Sequence, residues 1–250
     1  MEQRYFRNLG ALSEEECRIL QKKKIFVAGC GGLGGHVTDM LLRIGVGGIR
    51  AVDGDVFDES NLNRQLLSNV SRIGTPKAAA VAEHAALVNP SVRFEAEQCF
   101  ITAENAADLL SGCDIAIDAL DNIPSRRVLA KACSEAGIPF VHGAINGWLA
   151  QACLILPGSS VLDLIYPPEA CDFDASSAES GDSPDKPQSR QNGAEESAPA
   201  PGKSVLAFTP ALCAAIEVSL CIKQLCSRET EPGKLFIFDL ETMDFEDVQL

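Results

Sequence analysis

The sequence predicts an α/β protein: a Rossmann-like, doubly wound, mostly parallel sheet with antiparallel strands at its C-terminal end. Three observations predict it. Short apolar runs alternate with segments of helical periodicity from Lys24 to His142. A glycine turn, Gly29-Cys30-Gly31-Gly32-Leu33-Gly34, falls where the first apolar run passes into the first long helical pattern. Beyond residue 204 the rhythm changes, with one apolar helical stretch followed by two strand-like runs.

The elements follow in order. Ser13-Glu14-Glu15-Glu16 has the capping-box pattern, which predicts a short helix to about Lys22; residues 1–23 form an N-terminal arm and helix. Lys24–Gly29 is a buried strand, and residues 33–44 place Leu33, Val37, Met40, Leu41 and Ile44 on one helical side. Gly48–Asp53 is the next strand, completing a βαβ unit. The alternation continues with a helix at Lys77–Val88, a strand at Val92–Glu97, a helix near Ala103–Leu110 and a strand at Asp114–Ala119. A helix at Ser125–Ala136, a strand at Pro139–His142, a tight turn at Asn146-Gly147 and a strand at Leu149–Leu156 come next. The C-terminal part, 204–250, reads as a helix over Pro210–Leu225 and a hairpin of Lys234–Leu240 with Met243–Val248.

Between these parts the composition breaks. Residues 172–203 are rich in Ser, Asp, Glu, Pro, Gly, Gln and Ala and cannot bury enough apolar surface to offset their ordering entropy, so a disordered acidic loop is expected there. We read residues 1–250 as one nucleotide-binding domain interrupted by this loop. Residues 169–202 hold eight acids against Lys186 and Arg190, a large part of a net charge of -14. That acidity argues against a nucleic-acid or anionic-membrane partner. No apolar run approaches the roughly 20 residues that span a bilayer, and the start lacks a signal-peptide pattern, so a cytoplasmic location is expected. Ten cysteines occur without a Cys-x-x-Cys pair and mostly within apolar segments, where they act as small hydrophobes in a reducing compartment.

The glycine turn is where chemistry enters. Between a strand and a helix, Gly29, Gly31, Gly32 and Gly34 permit a tight turn and close backbone approach to a phosphate, with the helix N-terminus facing the anion. Asp53 closes the second strand, where a carboxylate meets a ribose hydroxyl. To this point NAD fits as well as ATP. The following segment separates them: Asp53-Gly54-Asp55 leads into Ser60-Asn61-Leu62-Asn63-Arg64-Gln65, and Gly74-Thr75-Pro76-Lys77 follows. Arg64 and Lys77 supply cations beyond the turn, as a triphosphate requires and a dinucleotide pyrophosphate does not.

These residues, with Asp118-Ala119-Leu120-Asp121-Asn122, resemble the MoeB/ThiF/HesA adenylyltransferases, bacterial relatives of ubiquitin-activating enzymes, over residues 4–157 and more loosely 204–246. The resemblance implies ATP-dependent formation of an acyl-adenylate on the C-terminal Gly of a ubiquitin-like sulfur-carrier protein of ThiS or MoaD type. It assigns Asp53 to the ribose, with Asp55 beside it. Asn61, Arg64, Gln65, Lys77 and Asn122 surround the nucleotide, and Asp121 holds Mg²⁺. The other reading of Asp121 is an N-cap for the helix near Ser125. Arg4-Tyr5-Phe6-Arg7 matches the family's N-terminal motif, in which the second arginine reaches the triphosphate of the other subunit. Arg7 is therefore a candidate finger supplied in trans within a homodimer.

The sequence departs from the family at its structural zinc. The Cys-x-x-Cys pairs are missing, with Val161-Leu162-Asp163-Leu164 near the first position, so no structural zinc is expected. Cys171 is the candidate sulfur-transfer thiol of the loop, although Glu169, Asp172 and Asp174 beside it disfavour a thiolate. His142 reads as a hydrogen-bonded structural histidine and Cys30 as packing. The competing functions are a carboxylate-activating dehydratase acting on a tRNA base, an NAD-dependent oxidoreductase, and a non-catalytic carrier-binding scaffold.

Overall fold

The computed structural model describes residues 2–167 and 204–250. The acidic stretch 172–203 and Cys171 lie outside the described residues. The elements are α1 (Glu14–Leu20), β1 (Lys24–Ala28), α2 (Gly32–Ile44), β2 (Gly48–Val52), α3 (Lys77–Val88), β3 (Arg93–Glu97), α4 (Ala106–Leu110) and β4 (Ile115–Asp118). They continue as α5 (Ile123–Ala136), β5 (Phe140–Asn146), β6 (Leu149–Ile155), α6 (Val161–Ile165), α7 (Phe208–Leu225), β7 (Lys234–Asp239) and β8 (Asp244–Gln249).

One eight-stranded sheet runs in the order β3-β2-β1-β4-β5-β6-β7-β8. The first five positions pair parallel, and β5–β6, β6–β7 and β7–β8 pair antiparallel. The predicted fold class is therefore the observed one. Because β1 lies between β2 and β4, the chain reverses its direction of travel across the sheet at that point. A crevice opens there, at the C-terminal ends of β1 and β4.

Alternation along β1 builds two cores. Ile25 and Val27 join one apolar layer with α2, α3 and α7, among them Val37, Leu41, Val81 and Val218. Phe26 and Ala28 join the other with α4, α5 and α6, including Leu110, Leu129 and Val161. Each fully buried Leu or Ile contributes about 1.5–3 kcal/mol of transfer free energy. α1 begins at the expected capping box: Ser13 Oγ accepts from Glu16 N, and Glu16 returns a carboxylate oxygen to Ser13 N at 2.7 Å. β5 runs past His142 to Asn146, and β6 returns after a two-residue turn in which Gly147 has φ +57°.

Four short elements escaped the sequence. Three are 3₁₀ turns at Gln3–Asn8, Glu59–Asn61 and Val70–Arg72, and one is the five-residue α6. All are too short to show periodicity. The first forms a latch: the ring of Tyr5 packs on Gly45, where a Cβ would fall 2.3 Å from it. Asn89 Nδ2 donates to the Tyr5 hydroxyl (2.8 Å), and Asn8 Nδ2 donates to Ile44 O (3.0 Å). The arm is thereby held at the C-terminal end of α2.

α7 is long and apolar enough by length and composition to cross a membrane, a property the sequence reading had not credited to any segment. Here it packs on β5, β6 and α2 as a core helix. It carries Glu217 into the interior. That side chain is fully buried, lodged where Gly143 of β5 has no side chain, and a Cβ on Gly143 would fall 2.3 Å from Glu217 Oε1. Neither carboxyl oxygen has a hydrogen-bond partner among the described residues.

Candidate nucleotide site

The glycine turn follows directly from β1. Gly29 adopts φ +95°, and a Cβ there would meet Ala119 O at 2.6 Å, so the turn after β1 and the loop after β4 touch. At Gly34 a Cβ would fall 1.8 Å from Gly29 O, which is why only glycine lets α2 start so close to the strand. Above this contact lies a cavity of ≈ 360 Å³. Its floor is the glycine turn and the N-terminus of α2.

Asp53, one residue beyond β2, stands at one side. Its carboxylate accepts from Cys30 N (2.7 Å) and Asp55 N (2.8 Å), so the acid also braces the turn. Burial raises its pKa, partly offset by those two amides and by Lys77. Lys77 opens α3 and is buried, with Nζ donating to Asp55 Oδ2 at 3.2 Å. Arg64 runs its stem along Gly32 and is anchored by Ser60 O and Asn63 Oδ1, each at 2.9 Å. Gln65 is buried beneath Gly31, with its Oε1 unpartnered among the described residues. Cys30 is buried within the turn, and burial raises its pKa, as packing requires.

The opposite wall comes from the loop after β4. Asp121 is exposed to the cavity, and its Oδ1 accepts from Asn122 Nδ2 at 3.3 Å. The N-cap of α5 is Asn122, whose Oδ1 accepts from Ser125 N at 2.9 Å, and the helix begins at Ile123 with Pro124 in its first turn. The capping alternative for Asp121 is thus overturned, and apart from Asn122 its carboxylate has no hydrogen-bond partner among the described residues.

The cavity therefore brings together Gly29, Gly31, Gly32, Asp53, Asp55, Arg64, Gln65, Lys77, Asp121 and Asn122. Asn61 and Arg7 are elsewhere. Asn61 ends a 3₁₀ turn capped by Asp58 and completes its capping box, accepting from Asp58 N at 3.0 Å, and so braces the loop that presents Arg64. Arg7 sits in the latch at the far end of α2, on the order of 20 Å from Gly32 by the rise of a 13-residue helix. His142 is fully buried and hydrogen-bonded to Asp118.

Several wall residues were missed by sequence reasoning. Phe100 follows β3 and lays its ring over Gly54, where a Cβ would fall 2.7 Å from it; with Val52, Ile101 and Leu120 it forms an apolar wall of the cavity. Ala144, Ile145 and Val205 close the remaining side. Val205 arrives from across the acidic stretch, fastened by Asn63 Nδ2 (3.0 Å) and bridged to Gly147. Arg126 is buried beside the Asp121 loop, at the edge of the cavity.

A glycine turn at a helix N-terminus, a buried acid, two cations and an apolar slot at the switch point of a doubly wound sheet make a site of the kind that nucleotide-binding α/β proteins carry. The chain belongs to the ThiF family, whose model matches residues 5–250. It is 31% identical over 236 residues to the SAMP-activating enzyme E1 of Haloferax volcanii, a match covering 94% of this chain and 79% of that one. It is 38% identical over 135 residues to the sulfur carrier protein adenylyltransferase of Thermus thermophilus, a match covering 54% of this chain and 50% of the relative. The second match thus spans half the relative's length. Escherichia coli MccB, solved with ATP, superposes with a TM-score of 0.74 at 20% identity over the whole of this chain and 72% of that one, a likeness of fold.

Proposed function

We propose that this chain uses ATP to adenylate the C-terminal carboxylate of a ubiquitin-like sulfur-carrier protein ending in Gly-Gly. One observation carries the reading: a single cavity is faced by the glycine turn, Asp53, the cations Arg64 and Lys77, and the exposed carboxylate of Asp121. The named relatives activate sulfur carriers or SAMPs, which supports adenylate transfer as the activity of this fold and site.

The chemistry asks little covalent work of the protein. The carrier carboxylate attacks the α-phosphate, forming a P–O bond as the bond to pyrophosphate breaks, so catalysis rests on alignment and on neutralising charge. Lys77 can hold Asp55 and a phosphate oxygen together, since its ammonium has three donors. Arg64 meets the phosphates from the rim, and Gln65 with Asn122 orients them. A lone carboxylate suits Mg²⁺, which keeps waters and phosphate oxygens as its other ligands. Asp121 would hold the ion, which when bound neutralises phosphate charge. Arg7 would come from the partner of a homodimer, because its own latch keeps it away from its own cavity.

The same reading places the protein in the cytoplasm without a structural zinc, and leaves Cys171 as the thiol for any later sulfur step. The test is ATP–[³²P]pyrophosphate exchange with Mg²⁺, with and without a Gly-Gly-terminated carrier, using Asp121→Ala as control. Carrier-dependent exchange that this variant loses supports the proposal. Measurable ATP binding without exchange on any carrier refutes it in favour of a scaffold or a tRNA substrate.

A further inference from the structure

Beside Asp121 lies a buried polar cluster that the adenylation chemistry above does not use, and one of its members, Arg126, reaches the edge of the cavity. Asp118 ends β4 and is fully buried. Its Oδ1 accepts from Leu120 N at 3.0 Å, and its Oδ2 lies 2.8 Å from His142 Nδ1 and 3.7 Å from Arg126 Nη1. Arg126 is 6% exposed; Nη2 donates to Leu120 O, and Nη1 donates to the Tyr166 hydroxyl at 2.9 Å. The imidazole completes the set. Burial lowers its pKa, Nδ1 lies against Asp118 Oδ2 and 3.2 Å from Arg126 Nη1, and Nε2 faces the Tyr166 hydroxyl at 3.3 Å.

The geometry is specific to one residue. Leu120 is gripped at its N–H by Asp118 and at its C=O by Arg126, and the next residue is Asp121. That carbonyl belongs to the Leu120–Asp121 peptide, so the guanidinium sets the plane from which the Asp121 side chain departs. A buried ion pair is a poor way to add stability, because desolvation offsets most of its attraction. Holding a backbone carbonyl in a fixed direction is something an apolar replacement cannot do.

We propose that Asp118, Arg126, His142 and the half-buried Tyr166 form a clamp that sets the Leu120–Asp121 peptide, and so aims the Asp121 carboxylate at the nucleotide's phosphates. The inference rests on the reading of Asp121 as the magnesium-holding carboxylate. Arg126 and Tyr166 are positioning residues: they act through Asp121 and touch no reacting atom.

The test uses the full chain, a non-hydrolysable ATP analogue and Mn²⁺ read by its free-ion paramagnetic signal, beside pyrophosphate exchange. Arg126→Lys keeps the charge and loses the fork. It should weaken Mn²⁺ binding in the ternary complex about tenfold and lower the exchange kcat by a similar factor, as loss of an outer-shell partner does. Metal-free binding of the analogue and KM for ATP should stay within about twofold, since the glycine floor and Asp53 are untouched. Tyr166→Phe, which removes one hydroxyl, should show the same split at about threefold and carries the test if Arg126→Lys fails to fold. In the Asp121→Ala background neither substitution should weaken Mn²⁺ further. Folded variants that hold Mn²⁺ as the wild type does, or that add their full effect on Asp121→Ala, overturn the clamp while leaving Asp121 in place. Wild-type Mn²⁺ affinity in Asp121→Ala alone instead refutes the reading of Asp121, and the clamp with it.

Discussion

Glu217 offers a prediction whose size follows from burial alone. The carboxyl sits in the notch left by Gly143, fully enclosed and without a donor to either oxygen among the described residues. Burial pushes its pKa well above the ordinary 4.5, the charge of Asp118 pushes it further, and Arg126 opposes only in part. A folded-state pKa raised in this way means that the native protein keeps a proton the unfolded chain releases. The stability this residue contributes is complete below pH 4.5 and is lost as pH rises towards the folded value. Within that window the loss is about 1.4 kcal/mol per pH unit. Glu217→Gln has nearly the same shape and no proton to lose. Its stability relative to wild type should be lowest below about pH 4.5 and rise by about 1.4 kcal/mol per pH unit above it until the folded value is passed. Urea unfolding of both proteins at four pH values in one buffer series measures this directly, because every other titrating group is common to the pair and cancels. A difference that stays flat across the range would refute the reasoning, since it would mean that the folded protein holds Glu217 at an ordinary pKa.

Three further perturbations test other levels of the same account. Gly34→Ala forces a methyl to within 1.8 Å of Gly29 O, and should cost at least the 1–3 kcal/mol typical of overpacking together with most ATP binding, read by thermal melting with and without nucleotide. Lys77→Gln removes the buried cation opposite Asp55 and should weaken ATP at least about tenfold while AMP, which lacks the β- and γ-phosphates, loses less; equal losses for both in calorimetry would contradict a role beyond the α-phosphate. Ser13→Ala breaks the capping box of α1 and should cost about 1 kcal/mol in urea unfolding with exchange activity unchanged.

How much of this was legible in the sequence depended on the length scale of the signal. The strands and helices around the crevice announced themselves because burial on two faces of a parallel sheet imposes unbroken apolar runs, as in Ile25–Ala28 and Ile115–Ile117. The glycine turn and Asp53 were legible because backbone geometry at Gly29 and Gly34 leaves no choice of residue. Arg126 and Phe100 were not. Their roles depend on partners far along the chain, His142 and Tyr166 for the first and Gly54 for the second, and nothing in one-dimensional spacing marks such pairs. Asn61 is a different case: within the most distinctive string of the sequence its amide oxygen braces the loop, while Arg64 and Gln65 line the cavity.

The latch of Tyr5 on Gly45 has a consequence in the language of complementation. If each cavity borrows Arg7 from the other chain, a subunit with Arg7→Ala still owns a sound cavity and merely fails its neighbour. A subunit with Asp121→Ala fails itself and still serves its neighbour. Each variant is dead as a homodimer, yet exchange of subunits between them creates pairs with one whole site. Random mixing in equal amounts should restore about a quarter of wild-type sites, with the rate of recovery reporting how fast subunits part. A cell carrying both alleles would keep an activity that neither allele supplies alone.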